Sequence, residues 1–141
     1  MNTISELTTE MSETIKELES NLNVWSPDKI STATMRLAIL NITLGVRVAE
    51  LESEGLNIKT AREIEAASIF LRLKNEGMTD KTAEAQVKLD TQEMKADELK
   101  ADAQFKKIRA ICIHTSSLIS TAQSHLKAVL SDRINLNVEN K

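Results

Sequence analysis

Apolar residues recur along most of this chain with the spacing of α-helices. In residues 3–23 they fall every three or four positions, at Ile4, Leu7, Met11, Ile15, Leu18 and Leu22. Most of the charged positions between them are acidic, so this stretch predicts an amphipathic N-terminal helix. A new helix is then predicted to start at Ser26-Pro27-Asp28, which supply an N-cap, a first helical position and an acidic first turn.

The second helical segment is predicted from Pro27 to about Glu76. Its apolar residues repeat every seven positions, at Ile30, Leu37, Leu44, Leu51 and Ile58. Gly55 could instead end a helix, with a break before Leu56. The heptad continues through Gly55 in register, which favours one continuous helix over this alternative.

The clearest turn signal is the sequence NEGMTD. Gly77 suits the left-handed position after a helix, and Thr79 or Asp80 suits the N-cap of the next one. A third helix is predicted from about Lys81 to Arg133. Its second half alternates by four and three at positions that we call the seam: Ala101, Phe105, Ile108, Cys112, Thr115, Ile119, Ala122, Leu126 and Val129.

These elements predict an all-α fold. A long, coiled-coil-like antiparallel helical hairpin spans residues 26–135 with its turn near 76–80, preceded by an N-terminal amphipathic helix in 1–25 and followed by a flexible tail in 136–141. Both long helices carry more than one apolar stripe, so we expect a homo-oligomer. The residues expected to join its copies lie on the seam: Phe105, Ile108, Cys112, Ile119, Leu126 and Val129.

Composition agrees with a helical protein. The chain of 141 residues has three Gly, one Pro and three aromatic residues, too few for the turns and strands of a β-protein. No apolar run is long enough to span a membrane, and the first residues do not resemble a signal peptide. With a single cysteine, no internal disulfide can form, and a cytoplasmic location is expected.

Cys112, His114 and His125 are the natural candidates for chemistry, and their spacing argues against it. The two histidines are eleven residues apart, about 16 Å along one helix, so they cannot share a metal within one chain. Cys112 and His114 point to different faces of that helix. No metal, phosphate-loop or nucleophile motif occurs, so we expect a protein without enzymatic activity, cofactor or metal.

Basic residues near the predicted turn are candidates for DNA binding: Lys59, Arg62, Arg72, Lys74 and Lys81. Several copies in a ring would multiply their phosphate contacts. The alternative is that they are ordinary surface charges that pair with neighbouring carboxylates. With so few aromatic residues, single-strand binding would rely on phosphates rather than on stacking.

The layout from Met35 to Lys127 resembles the phage recombination mediators of the UvsY type. The resemblance rests on LAILNITLGVRVAELESE leading into KTAREIEAASIFLRLKNEG, a short turn, then AEAQVKLDTQEMKADELKADAQFKKIRAIC and SSLISTAQSHLK. It implies a small helical oligomer that binds single-stranded DNA and helps to load a RecA-like recombinase onto strands coated by single-strand-binding protein. If the protein is encoded by a phage, the expected cytoplasm is that of the host cell. The seam would match the oligomerising helix, and the basic residues near the turn would match the DNA-contacting part.

The sequence therefore predicts a recombination mediator that binds single-stranded DNA as a homo-oligomer, with a RecA-like recombinase and single-strand-binding protein as further partners and with no membrane partner. The alternative is a structural or adaptor coiled coil, such as a phage assembly factor or a small chaperone. Such a protein would act through protein contacts and could dock its N-terminal helix into a partner's groove.

Overall fold

Among residues 2–139, which the computed structural model describes, every regular element is an α-helix. The described residues form four successive helices: α1 (Ile4–Asn21), α2 (Pro27–Asn75), α3 (Asp80–Asp90) and α4 (Gln92–Glu139). The two long helices, α2 and α4, pack antiparallel to each other. The predictions of an all-α fold and of antiparallel long helices are confirmed.

The chain forms two compact units, and each contains part of α2 and part of α4. Unit 1 takes the residues up to Arg47 together with those from Ile108 onward. Unit 2 is Val48–Lys107. The boundary between the predicted segments 1–25 and 26–135 falls between two helices. The boundaries between these units instead fall inside α2 and α4.

Unit 1 begins with a capped helix. Thr3 is the N-cap of α1: its hydroxyl accepts a hydrogen bond from the Glu6 backbone N–H at 3.2 Å, and the Glu6 carboxylate accepts one from the Thr3 N–H at 2.7 Å. This capping box gives two otherwise unpaired backbone donors a partner. Residues 22–26 then connect α1 to α2, which starts at Pro27 as predicted.

The core of unit 1 draws apolar side chains from α1, α2 and α4. Met11 on α1 and Leu37 on α2 have no exposed surface, and the Thr115 hydroxyl on α4 lies 3.2 Å from the Met11 sulfur. Asn41 donates a hydrogen bond to the Ser116 hydroxyl at 2.9 Å, which places α2 beside α4. The other buried residues of this core are Leu7, Thr14, Ile15, Leu18, Ile30, Thr34, Leu40, Leu44, Ile108, Leu118 and Ala122.

In unit 2, α2 runs through Gly55 without a break, as the heptad predicts. A Cβ atom built on Gly55 would lie 4.0 Å from the Cβ of Ala101, so α2 and α4 approach each other closely here. Beyond this point the end of α2 packs on α3. Ile69, Leu73 and Ala83 form a small buried cluster with Phe70, Met78 and Val87 against it.

The turn after α2 closes as a Schellman motif. The Met78 N–H bonds to the Leu73 carbonyl at 3.1 Å and the Gly77 N–H bonds to the Lys74 carbonyl at 3.0 Å, with Gly77 at φ 89°. Thr79 then caps α3 by accepting a hydrogen bond from the Thr82 N–H. Both predictions for this turn, a left-handed Gly77 and an N-cap at Thr79 or Asp80, are confirmed.

The single third helix predicted from Lys81 to Arg133 is wrong in one respect, since it is interrupted at Thr91. Thr91 ends α3 with φ −102° and ψ 9°, outside the helical region. Its buried hydroxyl donates to the Val87 carbonyl at 2.7 Å, and this kind of back-bonding bends helices. Periodicity alone could not reveal it, because the apolar spacing does not depend on one residue's backbone angles.

At its C-terminal end, α4 continues further than the sequence predicts. The helix reaches Glu139, so most of the predicted flexible tail is helical. The physical reason lies in the residues themselves, because Ile134-Asn135-Leu136-Asn137-Val138 contains no Gly or Pro to end a helix. Residues 140 and 141 lie outside the described part of the chain.

Candidate nucleic-acid and assembly surfaces

Four of the five basic residues predicted to contact DNA already face carboxylates. Lys74 lies 2.6 Å from the Asp80 carboxylate and also donates to the Met78 carbonyl at 3.1 Å, so it holds the turn together. Lys59 and Arg72 each lie 4.0 Å from an acid one helical turn further on, Glu63 and Glu76 respectively. The alternative interpretation of these cations, as surface charges paired with their neighbours, therefore describes most of the set.

Among these cations, Arg62 forms an ion pair between two helices. Its guanidinium donates a short hydrogen bond to the Glu98 carboxylate on α4, and both side chains are half-buried. Lys95 donates to the other oxygen of Glu98 at 3.0 Å. Hydrogen bonds from Arg62 and then Lys95 hold the pKa of Glu98 below its usual value of 4.5. Arg62 thus links α2 to α4, and a phosphate would have to compete with this carboxylate.

Four exposed lysines of unit 2 have no carboxylate partner among the described residues. Lys81 and Lys88 are seven residues apart on α3, and Lys100 and Lys107 are seven apart on α4. Seven residues are close to two helical turns, so each pair lies on one face with about 10 Å between its members. Of these four, Lys81 belongs to the predicted DNA-binding set. The seven-residue spacing alone would not have indicated the others, because Lys74 and Lys95 share it with Lys81 and Lys88 but are paired with carboxylates.

The charge of unit 2 as a whole does not attract DNA. It contains ten Lys and Arg against thirteen Asp and Glu, a balance of −3. No aromatic ring among the described residues is fully exposed: Trp25, Phe70 and Phe105 are all half-buried, and Lys29 lies 4.4 Å from the Trp25 ring. Any DNA contact would be local and led by lysine–phosphate pairs.

The seam on α4 is a packed face within one chain. Ile108, Thr115 and Ala122 are buried, and the other seam residues are half-buried. Thr115 contacts Met11, so α1 covers part of this face. The seam is therefore buried or half-buried along its whole length. Its part in joining copies of the chain stays a prediction, because helices of the same chain already bury its central residues.

The N-terminal helix is likewise engaged. Met11 and Leu18 have no exposed surface, and Glu10 forms a 2.6 Å ion pair with Arg36 of α2. The apolar face of α1 is therefore part of the unit 1 core. Docking this face into a partner's groove would require α1 to leave that core.

Cys112 and His114 lie in different environments. Burial raises the pKa of the Cys112 thiol, which makes its reactive thiolate scarcer. His114 instead lies 3.1 Å from the Glu19 carboxylate of α1. Within residues 2–139, no group of three or more His, Cys, Asp or Glu side chains is arranged to hold a metal ion.

Large apolar side chains remain exposed on both units. In unit 1 the most regular set lies on α2: Met35, Ile39, Ile42 and Val46. In unit 2, Ile64 and Leu71 are exposed, whereas Ile69 and Leu73 on the same helix are buried, as their angular separation predicts. No helix in the described part of the chain has the length and apolar character that crossing a membrane requires.

Comparison of the chain with protein-family models, with curated proteins and with solved structures finds no match.

Proposed function

We propose that this chain is a homo-oligomeric recombination mediator that binds single-stranded DNA through phosphate contacts. The observation that carries the proposal is the set of four unpaired lysines on unit 2, arranged as Lys81 with Lys88 and Lys100 with Lys107. The resemblance of the helix order to mediators of the UvsY type supports it. The predicted partners are unchanged: a RecA-like recombinase and single-strand-binding protein.

The proposed mechanism depends on assembly. Two lysine pairs on an acidic unit would bind a DNA strand weakly. An oligomer repeats the pairs around its circumference, and contacts made after the first become intramolecular, which raises the affinity without any new type of contact. The strand would be held by its phosphates with its bases free, which is the state that a recombinase needs.

The test is binding of a fluorescently labelled oligothymidine strand, followed by anisotropy as salt is raised. We expect binding at low ionic strength that weakens steeply with salt, because each lysine–phosphate contact releases condensed counterions and contributes about −0.7 to the slope for a single strand. Replacing Lys81 and Lys88 together by alanine should weaken binding and flatten the salt slope. A matched control replaces two exposed lysines of unit 1, Lys16 and Lys127, by alanine. It should change the affinity and the salt slope far less.

No binding of the wild-type chain at low salt would refute the mediator function. Equal losses in the two double variants would refute the assignment of the contacts to unit 2, because the effect would then follow net charge alone. Arg62→Ala is unsuitable as a test of DNA contact, since it also breaks the link between α2 and α4.

The second candidate is a structural or adaptor protein that acts through protein contacts. The acidic balance of unit 2 and the exposed apolar side chains on α2 favour it. This candidate predicts an oligomer with no affinity for single-stranded DNA at any salt concentration. Native mass spectrometry with and without the oligonucleotide separates the two candidates in one experiment.

A further inference from the structure

One face of α2 in unit 1 is apolar and open. Met35, Ile39, Ile42 and Val46 follow one another at intervals of four, three and four residues, so they line a single side of the helix. Their exposed fractions are 65%, 61%, 71% and 59%. We call these four residues the outer face of α2.

Most of the outer face lies in a segment of α2 without charged residues, between Arg36 and Arg47. The ten residues 37–46, LAILNITLGV, contain no Asp, Glu, Lys or Arg. Leu37, Leu40 and Leu44 occupy the opposite side and are buried in unit 1. A helical segment that carries no charge on any side is typical of one that is covered on most sides, yet here one side is open.

Small residues border the outer face. A Cβ atom built on Gly45 would have no atom within 4 Å, and Ala38 lies one heptad before it along the helix. Gly45 is unfavourable in a helix and fills no space in this chain. A second helix backbone could approach closely at this point.

We propose that copies of this chain associate through the outer face of α2. This inference rests on the homo-oligomer in the proposed function and assigns it to a different surface from the seam of α4, which is engaged inside one chain. A second copy is the occupant that fits the charges, because it offers the same uncharged segment, residues 37–46, to the segment that it covers.

The available area is that of a modest interface. The four side chains expose roughly 400 Å² of apolar surface, about the size of the largest patch on a typical monomer. Two such faces would bury about 800 Å², and the bordering Thr32, Ala38 and Thr43 would extend this towards the roughly 1,200 Å² at which stable interfaces begin. Association through this face should therefore depend on protein concentration.

The experiment measures mass by analytical ultracentrifugation over a range of concentrations for the full chain, Ile42→Glu and Ile64→Glu. The control has the same substitution on the same helix at a similar exposed fraction, 65% against 71%, but lies in unit 2. We expect the wild type to exceed the mass of one chain, Ile42→Glu to associate at least about tenfold more weakly, and Ile64→Glu to match the wild type. Circular dichroism verifies that each variant keeps its helix content.

Three outcomes would overturn the inference. In the first, the wild type stays a single chain at every concentration, which leaves the outer face for a different partner. In the second, Ile42→Glu associates as strongly as the wild type. In the third, Ile42→Glu and Ile64→Glu weaken association equally. If Ile42→Glu unfolds, Ile42→Cys in a Cys112→Ala background gives an independent measurement. A short thiol cross-linker should join copies through residue 42 and not through an equivalent Ile64→Cys, and equal cross-linking would refute the assignment.

Failure of this inference differs from failure of the proposed function. A wild-type oligomer that loses its mass in Ile42→Glu but binds no single-stranded DNA would refute the mediator and support the outer face. An oligomer that binds single-stranded DNA and keeps its mass in Ile42→Glu would support the mediator and refute the assignment to the outer face.

Discussion

Two glycines of unit 2 should respond in opposite directions to the same substitution. Gly55 lies inside α2, where its backbone is helical, and Gly77 follows α2 with φ 89°. Gly55→Ala should stabilise unit 2 and Gly77→Ala should destabilise it. Both residues lie within Val48–Lys107, so the two substitutions act on the same compact unit.

The structure supplies the size of each effect. The Cβ of Ala at position 55 would meet the Cβ of Ala101 at 4.0 Å, an ordinary contact, so the variant gains the helix preference of Ala over Gly, about 0.5–1 kcal/mol. At position 77 the new Cβ would touch nothing within 4 Å, and the loss is the backbone cost of the left-handed region, about 1–2 kcal/mol. The two variants should therefore differ by about 2 kcal/mol.

Urea unfolding followed by helical circular dichroism measures this difference. The midpoint should move up for Gly55→Ala and down for Gly77→Ala with the slope unchanged, since neither substitution alters the surface exposed on unfolding. A destabilised Gly55→Ala would refute a continuous α2 and favour the alternative in which Gly55 ends a helix. A Gly77→Ala variant as stable as the wild type would refute the Schellman turn.

Three further predictions concern the core, an ion pair and the cysteine. Leu37→Ala, at a fully buried position, should cost about 2–5 kcal/mol in urea unfolding, whereas Ile64→Ala, at an exposed position of the same helix, should change stability by less than about 0.5 kcal/mol. Similar losses in the two variants would contradict the assigned buried and exposed sides of α2. Because Arg62 lowers the pKa of Glu98, their ion pair should stabilise the fold fully above pH 4.5 and lose its effect as the pH falls through the lowered pKa of the folded state. The difference in unfolding free energy between the wild type and Glu98→Gln should therefore shrink in acid, and a constant difference would refute the coupling. Burial raises the pKa of Cys112, so iodoacetamide at pH 8 should alkylate it more slowly than it alkylates a free thiol, and unfolding in urea should raise the rate to that of a free thiol. A rate equal to that of a free thiol in the folded protein would mean that Cys112 is open to solvent.

The helices could be predicted from sequence because their signals are local. The start of α2 at Pro27, the turn at Gly77 and the cap at Thr79 each depend on the conformational preference of one or two residues. The apolar period likewise identified the buried side of α2 at Leu37 and Leu44. The interruption at Thr91 was missed because the sequence carries no local signal for it: Thr34 and Thr115 make the same hydroxyl bond to a carbonyl four residues earlier without ending their helices.

The candidate surfaces were harder to predict, because they depend on which side chains already bind or pack against others within the folded chain. Sequence identified Arg62 and Lys74 as cations but could not show that Glu98 and Asp80 hold them. It identified the seam through Thr115 but could not show that α1 covers it, since Met11 lies 104 residues away along the chain. Pairing across such distances is a property of the folded chain rather than of its periodicity.

The compact end of unit 2 also has a consequence for how the chain folds. Its cluster of Ile69, Leu73 and Ala83 joins residues that are near neighbours in sequence, whereas the pair Arg62–Glu98 spans 36 residues and the pair Asn41–Ser116 spans 75. Because the entropy lost on closing a loop grows with its length, the contacts around Gly77 should form early and shorten the loops that the later pairs must close. The turn would then act as the starting point from which α2 and α4 find their register.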